Sequence, residues 1–180
     1  PIAENLARRI ELLVLDVDGV LTDGRIVYTD DGRELKAFCA ADGSGMKYWR
    51  RAGNRLAIVS GRGGEAVLRR AAELHVDAIR LHAKYKKQAF EEVLTELGAD
   101  AAATAVVGDD LVDLPMLRRA AFAATVPGAP AEVRELADYV TATPGGHGAA
   151  REVIELLLKR AGKWAEIMKR YLPVEEGGEQ

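Results

Sequence analysis

The stretch Leu12-Leu13-Val14-Leu15-Asp16-Val17-Asp18-Gly19 decides the fold of this 180-residue chain. Its first four residues are all apolar, which is typical of a strand buried on both faces of a parallel sheet. Side chains of alternate residues in an extended backbone point to the same side. We therefore expect Asp16 and Asp18 to lie together where the strand ends. An Asx-type turn that simply closes the strand is the alternative explanation for this pair.

Further apolar runs follow the first and alternate with helical patterns. The apolar runs cover residues 56–59, 78–81, 105–107 and 122–125. The helical patterns cover residues 44–51, 65–74, 87–97, 111–120, 131–137 and 149–158, and an apolar stripe at helical spacing continues to Tyr171. Strands that alternate with helices predict an α/β fold with a doubly wound, Rossmann-like parallel sheet. In such sheets ligands bind at the carboxyl ends of the strands.

Residues 25–39 break this alternation. Two segments rich in β-branched and aromatic residues flank Asp30-Asp31-Gly32, which is typical of a tight turn. We predict a β-hairpin inserted into a single domain over residues 1–173, followed by a flexible tail at 174–180. The hairpin is apolar on both faces, which favours assembly with other copies of the chain. The alternative is that one face packs on the parent domain and the other is exposed.

Composition and charge exclude several classes of partner. The chain is 48% hydrophobic, enough for one core, and its formal net charge of -3 is not gathered in a tail that would bind nucleic acid or a membrane surface. No apolar stretch is long enough to span a bilayer. Cys39 has no second cysteine with which to pair, and the three histidines lack zinc-ligand spacing. We expect a cytoplasmic protein whose partners are small molecules or copies of itself.

A second acidic group, Gly108-Asp109-Asp110-Leu111-Val112-Asp113, follows the apolar run at 105–107. Its place after a strand is equivalent to that of Asp16. Carboxylates gathered at one sheet edge repel each other unless a cation offsets their charge. Asp109 and Asp16 are therefore candidate ligands for Mg²⁺, which prefers carboxylate and phosphate oxygens. Asp110 and Asp113 have an alternative role as helix caps.

Two further strand ends carry candidate phosphate-binding groups. Ser60-Gly61-Arg62 offers a hydroxyl and the backbone N–H groups of a glycine-containing turn. Lys86 opens the helix after the next strand and would neutralise a phosphoryl group and the nearby acids together. An ordinary helix N-cap for Ser60, and a solvated face for the lysines of 84–87, are the alternatives.

The order of these motifs resembles that of the haloacid dehalogenase superfamily of phosphotransferases, over almost the whole chain. The resemblance implies a Mg²⁺-dependent reaction through an aspartyl-phosphate. In that superfamily the backbone carbonyl of the second aspartate also contacts the metal. The implied roles are nucleophile for Asp16, general acid/base for Asp18, phosphoryl hydrogen-bond donor for Ser60, phosphoryl stabiliser for Lys86, and metal ligands for Asp16, Asp18 and Asp109.

Longer stretches resemble one branch of the superfamily, the 3-deoxy-D-manno-octulosonate 8-phosphate phosphatases and their relatives that act on nonulosonate 9-phosphates. In this branch the hairpin replaces the cap domain, and four hairpins meet in a homotetramer in which a neighbouring subunit helps to cover each active site. Lipopolysaccharide biosynthesis is the pathway that the resemblance implies. The matching stretches are Asp16-Val17-Asp18-Gly19-Val20-Leu21-Thr22-Asp23-Gly24, Glu34-Leu35-Lys36-Ala37-Phe38, Asp42-Gly43-Ser44-Gly45-Met46-Lys47 and Gly145-Gly146-His147-Gly148-Ala149-Ala150-Arg151-Glu152.

The chain departs from the branch pattern where substrate identity would be decided. The departing residues are Ala41, His82, Tyr85 and His147. A phosphate and a distant carboxylate would still require cations and donors. The substrate-binding candidates are Thr22, Lys36, Gly61 and Arg62, with Lys47 as a further cation; surface salt bridges and turn formation are the alternatives for these side chains.

These observations predict a Mg²⁺-dependent phosphomonoester hydrolase that acts on a sugar-acid phosphate, such as an octulosonate 8-phosphate or a nonulosonate 9-phosphate. Asp16 would attack phosphorus and Asp18 would transfer the protons. A non-catalytic assembly or regulatory module is one alternative, motivated by the four departures. Phosphoryl transfer to another position of a sugar phosphate is a second.

Overall fold

A parallel sheet of six strands forms the centre of the molecule in a computed structural model, which describes residues 2–172. The order of strands across it is β5-β4-β1-β6-β7-β8, and β2 and β3 pair separately. The strands of the described residues are β1 (Leu12–Leu15), β2 (Val27–Tyr28), β3 (Glu34–Leu35), β4 (Arg55–Val59), β5 (Ala78–Arg80), β6 (Thr104–Val107), β7 (Phe122–Thr125) and β8 (Tyr139–Val140).

This strand order places a topological switch point between β1 and β6. The chain runs from β1 outward to β4 and β5, then returns to the other side of β1 and continues through β6, β7 and β8. Loops on the two sides of a switch point separate at the carboxyl edge and leave a crevice between them. The predicted α/β fold with a doubly wound parallel sheet is confirmed, and the crevice lies next to Asp16.

Helices cover both faces of the sheet because β1 is apolar on both sides. Leu13 and Leu15 pack against one layer of buried residues, and Leu12 and Val14 pack against the other. The first layer contains α1 (Glu4–Arg9), α2 (Ala40–Arg51), α3 (Glu65–Glu73), α7 (Ala149–Arg160) and α8 (Trp164–Met168). The second contains α4 (Lys86–Leu97), α5 (Leu114–Leu117) and α6 (Ala131–Leu136).

Two predicted helices differ from the structure. The helix predicted at 111–120 forms only in part, because residues 111–113 make a 3-10 turn and only the short α5 is α-helical. Pro115 has no backbone N–H to donate. The carboxylates of Asp110 and Asp113 instead accept the N–H groups of residues 109–111. Helix α2 begins at Ala40, four residues before the predicted start at 44. Its two internal glycines hid the helix in the sequence, since glycine has low helix propensity.

The hairpin of β2 and β3 projects from the loop between β1 and α2. Val27 pairs with Leu35 and Tyr28 with Glu34 in antiparallel register. The turn is closed by the N–H of Thr29, which donates to the carbonyl of Arg33 at 2.9 Å. Strand pairing is shorter than the predicted hairpin at 25–39. Residues 174–180, predicted as a flexible tail, lie outside the described residues.

None of the helices within residues 2–172 is long and apolar enough to cross a membrane.

Candidate active site

The carboxyl ends of three adjacent strands, and the helix after a fourth, bring the predicted catalytic residues together. Asp16 follows β1 directly, Ser60 follows β4, and Asp109 comes two residues after β6. Lys86, the first residue of α4, reaches the same place from the loop after β5. These residues and Asp18 line one cleft of about 190 Å³. This volume is smaller than that of most pockets for small molecules. It is large enough for a phosphoryl group, and the remainder of a substrate would extend beyond the cleft.

Lys86 is buried among carboxylates. Its side chain is 3% exposed, and its Nζ lies 2.9 Å from Oδ1 of Asp16 and also contacts Oδ1 of Asp113. Burial alone would lower the pKa of Lys86, but the charges of Asp16 and Asp113 outweigh it and raise that pKa. Lys86 therefore remains a cation beside the predicted nucleophile.

Burial and crowding strongly perturb two of the acids. Burial, followed by the charge of Asp113, raises the pKa of Asp16 to about 6, although Lys86 opposes the shift. Burial, followed by the charges of Asp16 and Asp113, raises the pKa of Asp109 to about 8. Two neighbouring carboxylates that resist ionisation together form a site where a cation is strongly favoured.

The arrangement of the acids fits a divalent cation. One carboxylate oxygen from each of Asp16, Asp109 and Asp113 lies within 4.8 Å of the others, and Oδ1 of Asp109 is buried without a hydrogen-bond donor among the described residues. Oxygen donors of this type suit Mg²⁺. Asp113 is already engaged, because its Oδ2 accepts the N–H groups of Asp109 and Asp110 at 2.9 and 3.1 Å. Asp16 and Asp109 are thus the carboxylates with capacity for the ion.

Asp113 and Asp110 take the capping roles considered from the sequence. Oδ1 of Asp110 accepts the N–H of Leu111 at 2.7 Å, and Oδ2 of Asp113 accepts the N–H groups of Asp109 and Asp110. The contact of Asp113 with Lys86 was not predicted. Both motifs can be identified in the sequence, but only the folded structure shows that Lys86 and Asp113 are in contact.

Gly19 and Gly145 allow the loop after β1 to approach its neighbours closely. Gly19 has φ of +91°, and a Cβ there would lie 1.9 Å from Oδ2 of Asp109. A Cβ on Gly145 would lie 1.7 Å from the carbonyl oxygen of Gly19. Both contacts therefore require glycine. The sequence contained a signal for each, since both glycines belong to the motifs that matched the phosphatase branch.

Ser60 is buried and presents its hydroxyl to the cleft. The N–H of Arg62 donates to Oγ of Ser60 at 3.1 Å, which leaves the hydroxyl proton available to a phosphoryl oxygen. The helix-cap alternative for Ser60 is wrong, because α3 begins at Glu65 and its N-cap is Gly64. Gly61 has open space around its Cα, with Ala83 O as the nearest atom at 3.9 Å from a Cβ placed there.

The other substrate-binding candidates have protein partners. Lys36 contacts Asp18 and Glu34, and Arg62 Nη2 lies 3.1 Å from Glu34 while its side chain stays 40% exposed. The hydroxyl of Thr22 accepts the N–H of Gly24 at 3.2 Å, as expected of a turn residue. Their roles towards substrate stay predictions.

Two of the residues that depart from the branch pattern contact loops next to this site. His82 has φ of +55°, and its ring lies over Gly63 in the loop after Ser60. Nδ1 of His147 donates to the carbonyl of Gly145 at 2.8 Å, next to the Gly19 contact. Tyr85 and Ala41 are exposed to solvent.

Known proteins are similar to this chain in both fold and sequence. Residues 41–121 match the family model of haloacid dehalogenase-like hydrolases. The 3-deoxy-D-manno-octulosonate 8-phosphate phosphatase of Escherichia coli K12 is 40% identical over 160 residues, which is 89% of this chain and 85% of that protein. The chain belongs to the 3-deoxy-D-manno-octulosonate 8-phosphate phosphatase family.

Solved structures of family members agree closely with this phosphatase. That of the 3-deoxy-D-manno-octulosonate 8-phosphate phosphatase from Moraxella catarrhalis, in complex with magnesium, phosphate and KDO, has a TM-score of 0.91 and 38% identity, covering 94% of this chain and 97% of that one. The cobalt-bound Haemophilus influenzae phosphatase has a TM-score of 0.85 and 36% identity, covering 88% and 92%. The predicted superfamily, branch and enzyme class are confirmed.

Proposed function

We propose that this phosphatase hydrolyses 3-deoxy-D-manno-octulosonate 8-phosphate with Mg²⁺, through an aspartyl-phosphate on Asp16. The observation that carries the proposal is the buried group of Asp16, Lys86 and Asp109, placed at the switch point of the sheet. The Moraxella relative, described in complex with magnesium, phosphate and KDO, supports the metal and the sugar acid. The non-catalytic alternative is not favoured, because every predicted catalytic side chain reaches one cleft.

The residues have complementary roles in two steps. Bound Mg²⁺ would supply positive charge that offsets the phosphoryl group and the carboxylates of Asp16 and Asp109. Asp16 attacks phosphorus while Lys86 holds one oxygen of its carboxylate. The bond from phosphorus to the leaving oxygen breaks, and Asp18 gives that oxygen a proton. Asp18 then accepts a proton from water, which attacks phosphorus and breaks the bond to Asp16.

The rest of the substrate would lie between the hairpin and the loop after Ser60. Arg62 is the candidate for its carboxylate, because the guanidinium is part-exposed beside the cleft and offers several donors. Thr22 and Gly61 remain candidates for its other polar groups, whereas the side chain of Lys36 is 3% exposed and already contacts Asp18 and Glu34. The departures at Ala41, His82, Tyr85 and His147 make the octulosonate and nonulosonate phosphates the decisive pair to compare.

We also propose that the phosphatase works as a homotetramer in the cytoplasm, assembled through its hairpins. Assembly is supported by the exposed apolar residues of the hairpin, which are Ile26, Val27, Tyr28 and Leu35. The unpaired Cys39 suits a reducing compartment.

The experiment is phosphate release from a panel of sugar phosphates, with and without Mg²⁺. We expect the wild type to prefer the octulosonate 8-phosphate and Asp16→Asn to release no phosphate. Asp100→Asn makes the same chemical change in an exposed cap at the other end of β6, and should leave turnover intact. Phosphate release by Asp16→Asn at the wild-type rate would exclude the covalent mechanism, and product isomers without free phosphate would indicate a mutase.

A further inference from the structure

One lysine of the hairpin contacts Asp18, which lines the catalytic cleft. Lys36 follows β3 directly, and its side chain is only 3% exposed. Its Nζ donates to Oδ1 of Asp18 and lies 3.0 Å from Oε1 of Glu34. Burying an ammonium group costs free energy unless the group is paired with an acid. The three side chains therefore hold one another in position.

Glu34 extends this contact to Arg62, another residue that lines the cleft. Its Oε2 accepts a hydrogen bond from Nη2 of Arg62 at 3.1 Å. The backbone N–H of Arg62 in turn donates to Oγ of Ser60. Through Lys36 and Glu34, therefore, the hairpin is joined both to the loop of the predicted acid/base and to the loop of the predicted phosphoryl donor.

We propose that Lys36 is a positioning residue for Asp18, which it holds with one carboxylate oxygen fixed and the other free for proton transfer. The proposal rests on the proposed function and deepens it. No donor among residues 2–172 reaches Oδ2 of Asp18, whereas Oδ1 is held by Lys36. Fixing Oδ1 sets the plane of the carboxylate and aims Oδ2 at the cleft.

The proton balance of the reaction depends on that orientation. In the first step, the Asp16 oxygen bonds to phosphorus, the bond to the substrate oxygen breaks, and the proton on Oδ2 of Asp18 passes to that oxygen. In the second step, Oδ2 takes a proton from the attacking water as the bond from phosphorus to Asp16 breaks. A misdirected Asp18 would slow each step in which a proton must move.

Contacts of Lys36 favour this role over direct binding of substrate. Two of its three N–H groups face Asp18 and Glu34, and almost none of the side chain is accessible. Arg62, by contrast, keeps 40% of its side chain exposed and can reach a substrate while bound to Glu34.

The test compares leaving groups that do and do not need a proton. Lys36→Met removes the ammonium, Lys36→Arg restores a donor to Asp18, and Glu34→Gln weakens the support of Lys36 while leaving the lysine in place. Each variant is assayed with Mg²⁺ on 3-deoxy-D-manno-octulosonate 8-phosphate, on ribose 5-phosphate and on p-nitrophenyl phosphate. Rapid mixing with the aryl ester separates the burst of nitrophenolate from later turnover.

For Lys36→Met, we expect kcat on both alkyl phosphates to fall about 10- to 100-fold, within the range of general acid–base catalysis, with KM changed less than about threefold. The nitrophenolate burst should keep its rate within about threefold, because this leaving group departs without a proton. Lys36→Arg should recover part of the loss, and Glu34→Gln should show the same pattern more weakly. Arg33→Met, which removes an exposed cation from the same hairpin, should match the wild type.

Three results would overturn the role of Lys36. A loss in the burst rate on p-nitrophenyl phosphate as large as the loss in kcat on the alkyl esters would indicate a general structural effect. A rise in KM for the octulosonate phosphate at unchanged kcat would indicate a substrate contact instead. Wild-type behaviour of Lys36→Met on all three esters would remove the role entirely. If the wild type rejects the octulosonate phosphate, that substrate assignment is wrong, and ribose 5-phosphate still decides the role of Lys36.

Discussion

Gly19 determines how close the backbone after β1 comes to the metal-binding acids. Its φ of +91° disfavours any other residue, and a Cβ would overlap the carboxylate of Asp109. The loop that carries Asp16 and Asp18 therefore constrains the position of an acid in the loop after a different strand, β6.

We expect Gly19→Ala to displace Asp109 and to weaken apparent Mg²⁺ binding by about 10-fold or more, besides the backbone cost of about 1 kcal/mol. The measurement is a Mg²⁺ titration of phosphatase activity. Gly32→Ala is the matched control, since Gly32 has φ of +80° but open space around it. An equal effect of both substitutions on Mg²⁺ binding would show that the Asp109 contact is unimportant.

The raised pKa values of Asp16 and Asp109 predict a pH-dependent response to the metal. With pKa of about 8 in the folded protein, Asp109 keeps a proton that the unfolded chain loses near its ordinary value of 3.8. The native state then binds more protons, so metal-free stability should fall as pH rises between those values. Mg²⁺ favours the ionised carboxylates, and its stabilising effect should increase from pH 6 to pH 8.

Thermal unfolding with EDTA and with Mg²⁺ at both pH values measures this effect. Asp109→Asn should remove most of the pH dependence of the Mg²⁺ shift. A larger Mg²⁺ shift at pH 6 than at pH 8 would contradict the assignment.

At the scale of secondary structure, α2 and α7 are joined by a buried carboxylate. Asp42, only 2% exposed on α2, accepts the N–H of Arg151 in the first turn of α7 at 2.8 Å. It thus acts as an N-cap supplied by another helix. Because the segment before α7 contains Gly145, this cap also fixes the loop that packs on Gly19.

We expect Asp42→Ala to lower the free energy of unfolding by about 1–2 kcal/mol, because a helix cap is lost and its donors remain buried. Urea denaturation measures the change. Asp100→Ala removes an exposed cap from a 3-10 turn and should cost less. A loss for Asp42→Ala no larger than that of Asp100→Ala would argue against the capping role.

The predictability of each element followed its length and burial. The apolar runs of β1 and β7 gave both strands with their bounds, because four consecutive buried residues leave a clear pattern. The two-residue β8 and the six-residue α1 were not predicted, since elements this short show no periodicity. The 3-10 turn at Leu111–Asp113 was predicted as α-helix because the spacing of apolar residues does not indicate the side-chain hydrogen bonds that form the turn.

The sequence was sufficient to predict which strands carry the residues of the candidate site. Parallel strands end at one edge, so Asp16, Ser60 and Asp109 could be placed together from order alone. The contacts of Lys36 with Asp18 and of Arg151 with Asp42 could not, because they join positions that are distant in the chain and depend on the packing of whole elements.

At the scale of the whole molecule, the hairpin presents an apolar surface that the described chain does not cover. The exposed residues are Ile26, Val27, Tyr28 and Leu35, each between 46% and 62% exposed. A two-stranded hairpin is marginally stable by itself, and exposed apolar groups of this kind mark interaction surfaces. A second copy of the chain is the partner that the proposed tetramer supplies.

We expect Leu35→Glu to shift the assembly to smaller species, because it places a charge in the apolar contact. Sedimentation velocity measures the change. Leu68→Glu, at a comparably exposed leucine on α3, should leave the assembly intact. A wild type that sediments as a monomer, or equal effects of both substitutions, would contradict assembly through the hairpin.

The packing of Gly145 on Gly19 also orders events during synthesis. The loop that carries the nucleophile emerges from the ribosome early, yet the glycine that closes over it belongs to a segment made much later. Contacts between such distant positions form late in folding. A nascent chain would thus hold its first catalytic motif incomplete until the segment around Gly145 arrives, so phosphatase activity should begin only when most of the domain has been translated.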